Sequence, residues 1–125
     1  MFDKIVNAVN EDAALVNQGK NLSCTFLIEI DSHANYITIK RGKMKGVVSG
    51  KFMMRRWDFA IRASETTWHK FWQPYPEPGY HDIFAMNRFE YCKIEGNIDI
   101  LLSNIRYVKD LLAKPRLWKR VKAHD

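Results

Sequence analysis

A change of period at Ser64 constrains this chain more than any other feature. Up to that point RRWDFAIRAS alternates, with Trp57, Phe59 and Ile61 on one face and Asp58, Ala60 and Arg62 on the other. That is the pattern of a half-buried strand. From Ser64 onward the large apolar residues are Trp68, Phe71 and Trp72, spaced three and four apart as on one face of a helix. Ser64 is a fit N-cap, and Glu65 suits the positive end of a helix dipole. A strand that runs straight into an amphipathic helix must bury the helix on a neighbouring layer, so the chain needs at least one sheet and one helical layer.

The rest of the chain fills in those layers. Phe2, Ile5, Val6, Val9, Ala13 and Val16 form one stripe, which predicts a helix from Phe2 to about Val16, stopped near Gly19. LSCTFLIEID, YITIKR and MKGVVSG read as strands, with turns at DSHAN and at RGK, where Gly42 is free to take positive φ. With RRWDFAIRAS they make four strands on short connections, the pattern of an antiparallel meander. Pro74, Pro76 and Pro78 forbid helix up to Gly79. A second short helix is expected from about Tyr80 to Asn87, presenting Tyr80, Ile83 and Phe84. FEYCKIEG reads as a fifth strand closed by Gly96. Asn97 then caps a long helix with the stripe Ile98, Leu101, Leu102, Ile105, Val108, Leu111 and Leu112, which Pro115 should end. The order is helix, four strands, two short helices, strand, long helix. It predicts an α+β fold, one five-stranded, mainly antiparallel sheet with helices on a single face.

A chain of 125 residues fits one domain, and 46% hydrophobic with 27% charged residues is an ordinary balance for a folded one. No run approaches the roughly 18 apolar residues of a membrane span. The opening, MFDKIVNAVNEDAALV, has acids scattered through it and does not read as a signal peptide. Cys24 and Cys92 sit in strand-like runs and are expected to be buried free thiols, which places the protein in a reducing compartment, the cytoplasm. Most of the net charge of +6 lies in residues 114–125, where Lys114, Arg116, Lys119, Arg120 and Lys122 face only Asp125. That stretch reads as a basic tail on a near-neutral body. Helix-turn-helix, zinc-finger and RNP signatures are missing, so no nucleic-acid partner is expected.

The segment WHKFWQPYPEPGYHDIF gathers aromatic rings and histidines and admits two readings. Its rings either fill a core or line a cavity under two short helices hinged by prolines, which open more easily than long ones and are where a lid would be expected. For acid/base chemistry the candidates are His81, assisted by Tyr80 or Glu90. His81 and Asp82 are neighbours on a presumed helix, about 100° apart, and cannot orient one another. Neither cysteine has an electropositive setting, and no G-x-S-x-G elbow is present. The histidines at 33, 69, 81 and 124 lack ligand spacing, so neither a metal nor a cofactor is expected. RGKMKG lacks the Walker pattern and is read as a hairpin turn.

Three stretches resemble the sterol carrier protein 2 (SCP2) family. WDFAIRASETTWHKFW is similar to its strand leading into the first cavity helix, and PYPEPGYHDIFAM to the connection and short helix of its small stand-alone bacterial members. YCKIEGNIDILLSNIRYVKDLL is similar to its closing strand, glycine turn and final helix. The resemblance covers residues 1–113 and leaves 114–125 as the tail. It implies an apolar tunnel between sheet and helices that holds a fatty acid, acyl-CoA, sterol or terpenoid-like molecule for binding, transfer or presentation. The ligand-binding residues it implies are Trp57, Phe59, Trp68, Phe71, Trp72, Tyr80, Ile83, Phe84, Leu101, Leu102 and Ile105. Arg62, His69, Tyr80 and His81 are the polar candidates at the mouth. The alternatives on this scaffold are a small enzyme acting on an apolar substrate and an accessory module that dimerises through the aromatic surface. The tail from Lys114 to Lys122 is expected to meet a partner enzyme or an anionic membrane.

Overall fold

The structure, a computed structural model, describes residues 2–51 and 55–118. The first helical stripe forms two helices, α1 (Phe2–Glu11) and α2 (Ala13–Gln18). The single helix expected there breaks at Asp12, whose carboxylate accepts the Leu15 backbone N–H at 3.1 Å and caps α2. Three strands follow as an antiparallel meander, β1 (Ser23–Ile30), β2 (His33–Lys40) and β3 (Lys43–Lys51). Gly42, at φ +82, makes the second turn, where a Cβ would collide with the Val16 carbonyl.

The fourth strand departs from the meander. β4 (Phe59–Ala63) pairs with β1 in parallel, and β5 (Cys92–Gly96) pairs antiparallel to β4, giving the order β3-β2-β1-β4-β5. The sheet is therefore mixed, with one parallel pairing. Burial explains the choice. Phe59, Ala60 and Ile61 are all 0% exposed, so β4 needs cover on both faces and neighbours on both sides. β3, with Gly46, Ser49 and Gly50, suits an edge.

Alternation assigns the faces. Phe26 and Ile28, Ile37 and Ile39, Phe59 and Ile61 belong to the main core under the helices. Leu27, Ala34, Tyr36 and Ala60 form a smaller cluster on the outer face. Trp57 packs on that outer cluster, not beside Phe59 as a continuous strand would place it, because it precedes β4 and belongs to the crossover from β3. The inner face is covered by α1, α3 (Glu65–Phe71), α4 (Ile83–Arg88), α5 (Ile98–Ser103) and α6 (Ile105–Leu112), each of which contributes buried residues to that core.

Ser64 caps α3 through the Thr67 N–H at 3.1 Å, and Asn97 caps α5 through the Ile100 N–H at 3.2 Å, as expected. The long closing helix is interrupted at Asn104, whose amide donates to the Ile100 carbonyl at 3.0 Å. Pro115 does not end the helical region. Helix resumes over 114–118 with the proline in its first turn, where its missing N–H does no harm.

Candidate functional site

The aromatic segment forms the ceiling of the inner core. α3 turns Trp68 and Phe71 inward, and its cap residue Trp72 follows them. Trp68 stacks on Trp72 with ring centroids 5.3 Å apart and meets Phe71 edge-on at 5.6 Å. Phe2 approaches Trp72 edge-on at 6.4 Å from α1. On the sheet below, Phe59 stacks on Phe26 at 4.9 Å. Both indole N–H groups are tied down, Trp68 to the Glu29 carbonyl at 3.0 Å and Trp72 to the Leu112 carbonyl at 2.9 Å. Large apolar rings with anchored polar tips make an oily, precisely oriented interior. Trp68, Phe71, Trp72, Ile83 and Leu101 are at most 3% exposed, and they pack in one cluster with Phe59.

The other expected ligand residues lie around this cluster or away from it. Tyr80, Phe84 and Ile105 are half-buried at its edge. Leu102 is 52% exposed and faces outward, since it stands about 100° from Leu101 on the same helix and both cannot point inward. Trp57 lies on the opposite face of the sheet. Arg62, expected at the mouth, also lies there, between Glu29 and Glu95. His69 is exposed and sits 3.4 Å from Glu65 on its own helix. Clefts of about 530 Å³ and 750 Å³ open beside α2 and on the outer face, and neither is lined by Trp68, Phe71 or Trp72.

The acid/base candidates are scattered. Tyr80 stacks flat on Tyr91, centroids 4.6 Å apart, with the Lys70 ammonium 4.9 Å from its ring. His81 is exposed and offers its backbone carbonyl to Arg116. Glu90 is exposed in the turn before β5, in the left-handed region at φ 63. Among the described residues no hydrogen bond joins His81 to Tyr80 or Glu90. Both thiols are inert by burial. Desolvation, with a contribution from Asp58, pushes Cys24 up to about 12, and desolvation alone takes Cys92 to about 11.

What holds the aromatic segment in place comes from the far end of the chain. Arg116 donates to the Phe71 carbonyl at 2.6 Å, to the His81 carbonyl at 3.1 Å and to the Tyr80 carbonyl at 3.3 Å. Its guanidinium also lies 4.3 Å from the Phe71 ring centre. One side chain thus spans both ends of the proline loop. Lys109 adds a second fastening, 3.0 Å from the Asp82 carboxylate and 5.5 Å from the centre of the Phe84 ring. Burial pulls the Asp82 pKa upward, but the Phe84 N–H and Lys109 outweigh it, and the net shift is downward. A third pair, Lys114 with Asp12 at 2.6 Å, holds the C-terminal turn to α2 and, with the Leu15 N–H, lowers the Asp12 pKa. Lys114 and Arg116 therefore point into the body. Lys119, Arg120 and Lys122, the remaining cations of the expected tail, lie outside the described residues. Sequence reading missed this clamp because its partners are carbonyls 35 and more residues away; the signal within reach was Pro115, which can open a helical turn as well as close one.

The chain matches no protein-family model and no curated protein. Solved structures do match. A crystal structure of sterol carrier protein 2 superposes with a TM-score of 0.73 at 17% identity, over 91% of this chain and 92% of that one. A conserved hypothetical protein of Thermus thermophilus, with sterol carrier protein as its suggested identity, gives 0.63 at 16% identity over 89% and 82%. The ubiquinone synthesis protein UbiJ-SCP2 gives 0.60 at 12% identity over 93% and 88%. At these identities the likeness is one of fold: the chain has the SCP2 fold along nearly its whole length.

Proposed function

We propose that this protein binds an apolar molecule, a fatty acid, acyl-CoA, sterol or terpenoid-like compound, between sheet and helices, and transfers or presents it. The observation that carries the reading is the SCP2 fold combined with a wholly apolar, ring-lined interface beneath α3 and α4. The fold is generally associated with apolar ligands, and sterol carrier protein 2 is named for one. Burying about ten methylene groups offers roughly 8 kcal/mol before entropy losses, which requires no catalytic group. In the state described here the rings pack on one another, so the guest enters by displacing the segment from Phe71 to Ile83, and the Arg116 clamp must open for it. Two buried, unpaired thiols support a cytoplasmic setting.

A second reading rests on Tyr75, Phe89 and Tyr91, which are 75%, 56% and 39% exposed on the rim of the same segment. An aromatic surface of this kind suits a second copy or a partner enzyme, in an accessory role. Native mass spectrometry of protein purified without detergent tests both, with and without added palmitate, cholesterol and geranylgeraniol. A monomer carrying one lipid is expected. Protein that stays empty with all three additions overturns the carrier, and an empty dimer establishes the second reading instead.

A further inference from the structure

The outer face of the sheet carries a cleft that the proposed cargo site does not use. Residues 55–58 lie across this face, with Trp57 resting on Leu27, Ala34, Tyr36 and Ala60. The Arg55 backbone N–H reaches the Tyr36 hydroxyl at 3.4 Å. Between this crossover and the Glu29–Ala34 end of the β1–β2 hairpin is a hollow of about 750 Å³, well inside the range of small-molecule sites. Its floor is apolar, from Leu27, Ala34 and the edge of Trp57, and its rim is charged.

Arg55, Arg56 and Arg62 line this cleft with Glu29 and Asp31, a small excess of positive charge. Arg62 is held by Glu29 and by Glu95, the latter at 3.3 Å, with its guanidinium 5.7 Å from the centre of the Trp57 ring. Asp31 accepts the Glu65 backbone N–H at 3.2 Å. Arg55 and Arg56 are exposed, line the same cleft, and meet no carboxylate among the described residues. Two arginines on the lining of one cleft with an apolar floor are suited to an anion, which a guanidinium grips with forked hydrogen bonds. We infer that this cleft binds an organic anion, a phosphate or carboxylate attached to an apolar body, with the anion at Arg55 and Arg56 and the body against Trp57 and Leu27.

The probes are 1-naphthyl phosphate, neutral 1-naphthol and inorganic phosphate, titrated by calorimetry and followed by amide chemical shifts. One naphthyl phosphate is expected to bind and to move the amide signals of Leu27, Ala34, Trp57 and Arg62. Each half-probe should bind at least about tenfold more weakly. A double variant, Arg55→Ala with Arg56→Ala, should weaken naphthyl phosphate about tenfold or more while keeping the wild-type circular dichroism and thermal unfolding midpoint. Trp57→Leu, read the same way, should weaken it too. The inference is overturned if the double variant binds as wild type does, or if the shifts centre on Trp68 and Trp72. It is equally overturned if inorganic phosphate alone binds as tightly as the naphthyl ester. Because the cargo site lies on the other face, failure here leaves the carrier reading standing, and a failed carrier leaves this one.

Discussion

The two faces of this sheet are built from the same five strands and end in opposite states. On the inner face the strands present Phe26, Ile28, Ile37, Ile39, Phe59 and Ile61, and the helices return Trp68, Phe71 and Tyr107, all at most 2% exposed. On the outer face the matching positions are Ala34 and Ala60, with Leu27 and Tyr36, and the cover is one crossover carrying Trp57. Large residues opposite large residues fill the inner layer. Small residues under a single indole leave the outer one hollow. Gly96 belongs to the same economy, because a Cβ there would meet the Trp57 ring at 2.7 Å and the Asp58 carbonyl at 2.6 Å. The ring-filled face is thus closed and clamped, and the face that carries Arg55 and Arg56 stands open. Under the two proposals the first would need motion to admit a guest and the second would not.

Replacing one tryptophan on each face tests this contrast most severely. Trp68→Ala removes a fully buried ring, its stacking on Trp72 and its bond to Glu29, and should destabilise by about 3–5 kcal/mol. Trp57→Ala removes a half-buried ring from a face with room to spare and should cost about 1–2 kcal/mol. Urea denaturation of the two variants measures both. Equal losses would show that the outer face is packed as tightly as the inner.

Much of this was legible in the sequence, and the failures share a cause. The switch of period at Ser64, the caps at Ser64 and Asn97, the turn at Gly42 and the burial of Cys24 and Cys92 are local matters of alternation and side-chain chemistry, and each stands as expected. Alternation says which face a residue takes and says nothing about which strand lies beside it, so the parallel pairing of β4 with β1 was hidden. The alternation also ran past the true start of β4, which carried Trp57 to the wrong face. Asn104 broke a helix whose apolar stripe looked continuous, because its amide bonds back to Ile100. The ring cluster was legible from its spacing, but its fastening by Arg116 was not, since that depends on carbonyls that no side-chain pattern reports.

Arg116 is the next lever on the comparison. Its guanidinium makes hydrogen bonds to three carbonyls, and bonds involving a charged partner are worth about 1.5–3 kcal/mol where the acceptor is otherwise left without one. Tyr80 is half-buried and His81 exposed, so two of the three carbonyls can turn to water, which places the expected loss for Arg116→Ala at about 1–2 kcal/mol. The loss should be local. Amide exchange should accelerate at Trp72 and Tyr80, whose N–H groups bond to Trp68 and Glu77, and stay unchanged in β2. A palmitate-type guest should enter faster. Uniform acceleration across the sheet would mean that Arg116 supports the whole core and does not merely fasten the segment from Phe71 to Ile83.

The smallest expected effect comes from Asp82, and its sign follows from its pKa. Asp82 titrates below its ordinary value because the Phe84 N–H and Lys109 favour the carboxylate more than burial disfavours it. A carboxyl depressed in the folded state lends stability at every pH above its unfolded pKa and loses it as pH falls through the folded one. Asp82→Asn keeps an N-cap acceptor for Phe84 and removes the charge that faces Lys109. The pair is partly exposed, with side chains 29% and 38% accessible, so the loss at pH 7 should be under about 1 kcal/mol. Wild type and variant should therefore differ slightly in Tm near neutrality and converge as pH drops below the usual carboxylate range. Arg88, the exposed basic residue in the last turn of the same helix, serves as the control, since Arg88→Gln should shift Tm without that convergence. A gap between wild type and Asp82→Asn that persists in acid would assign the residue's contribution to capping geometry and leave Arg116 as the clamp's charged element.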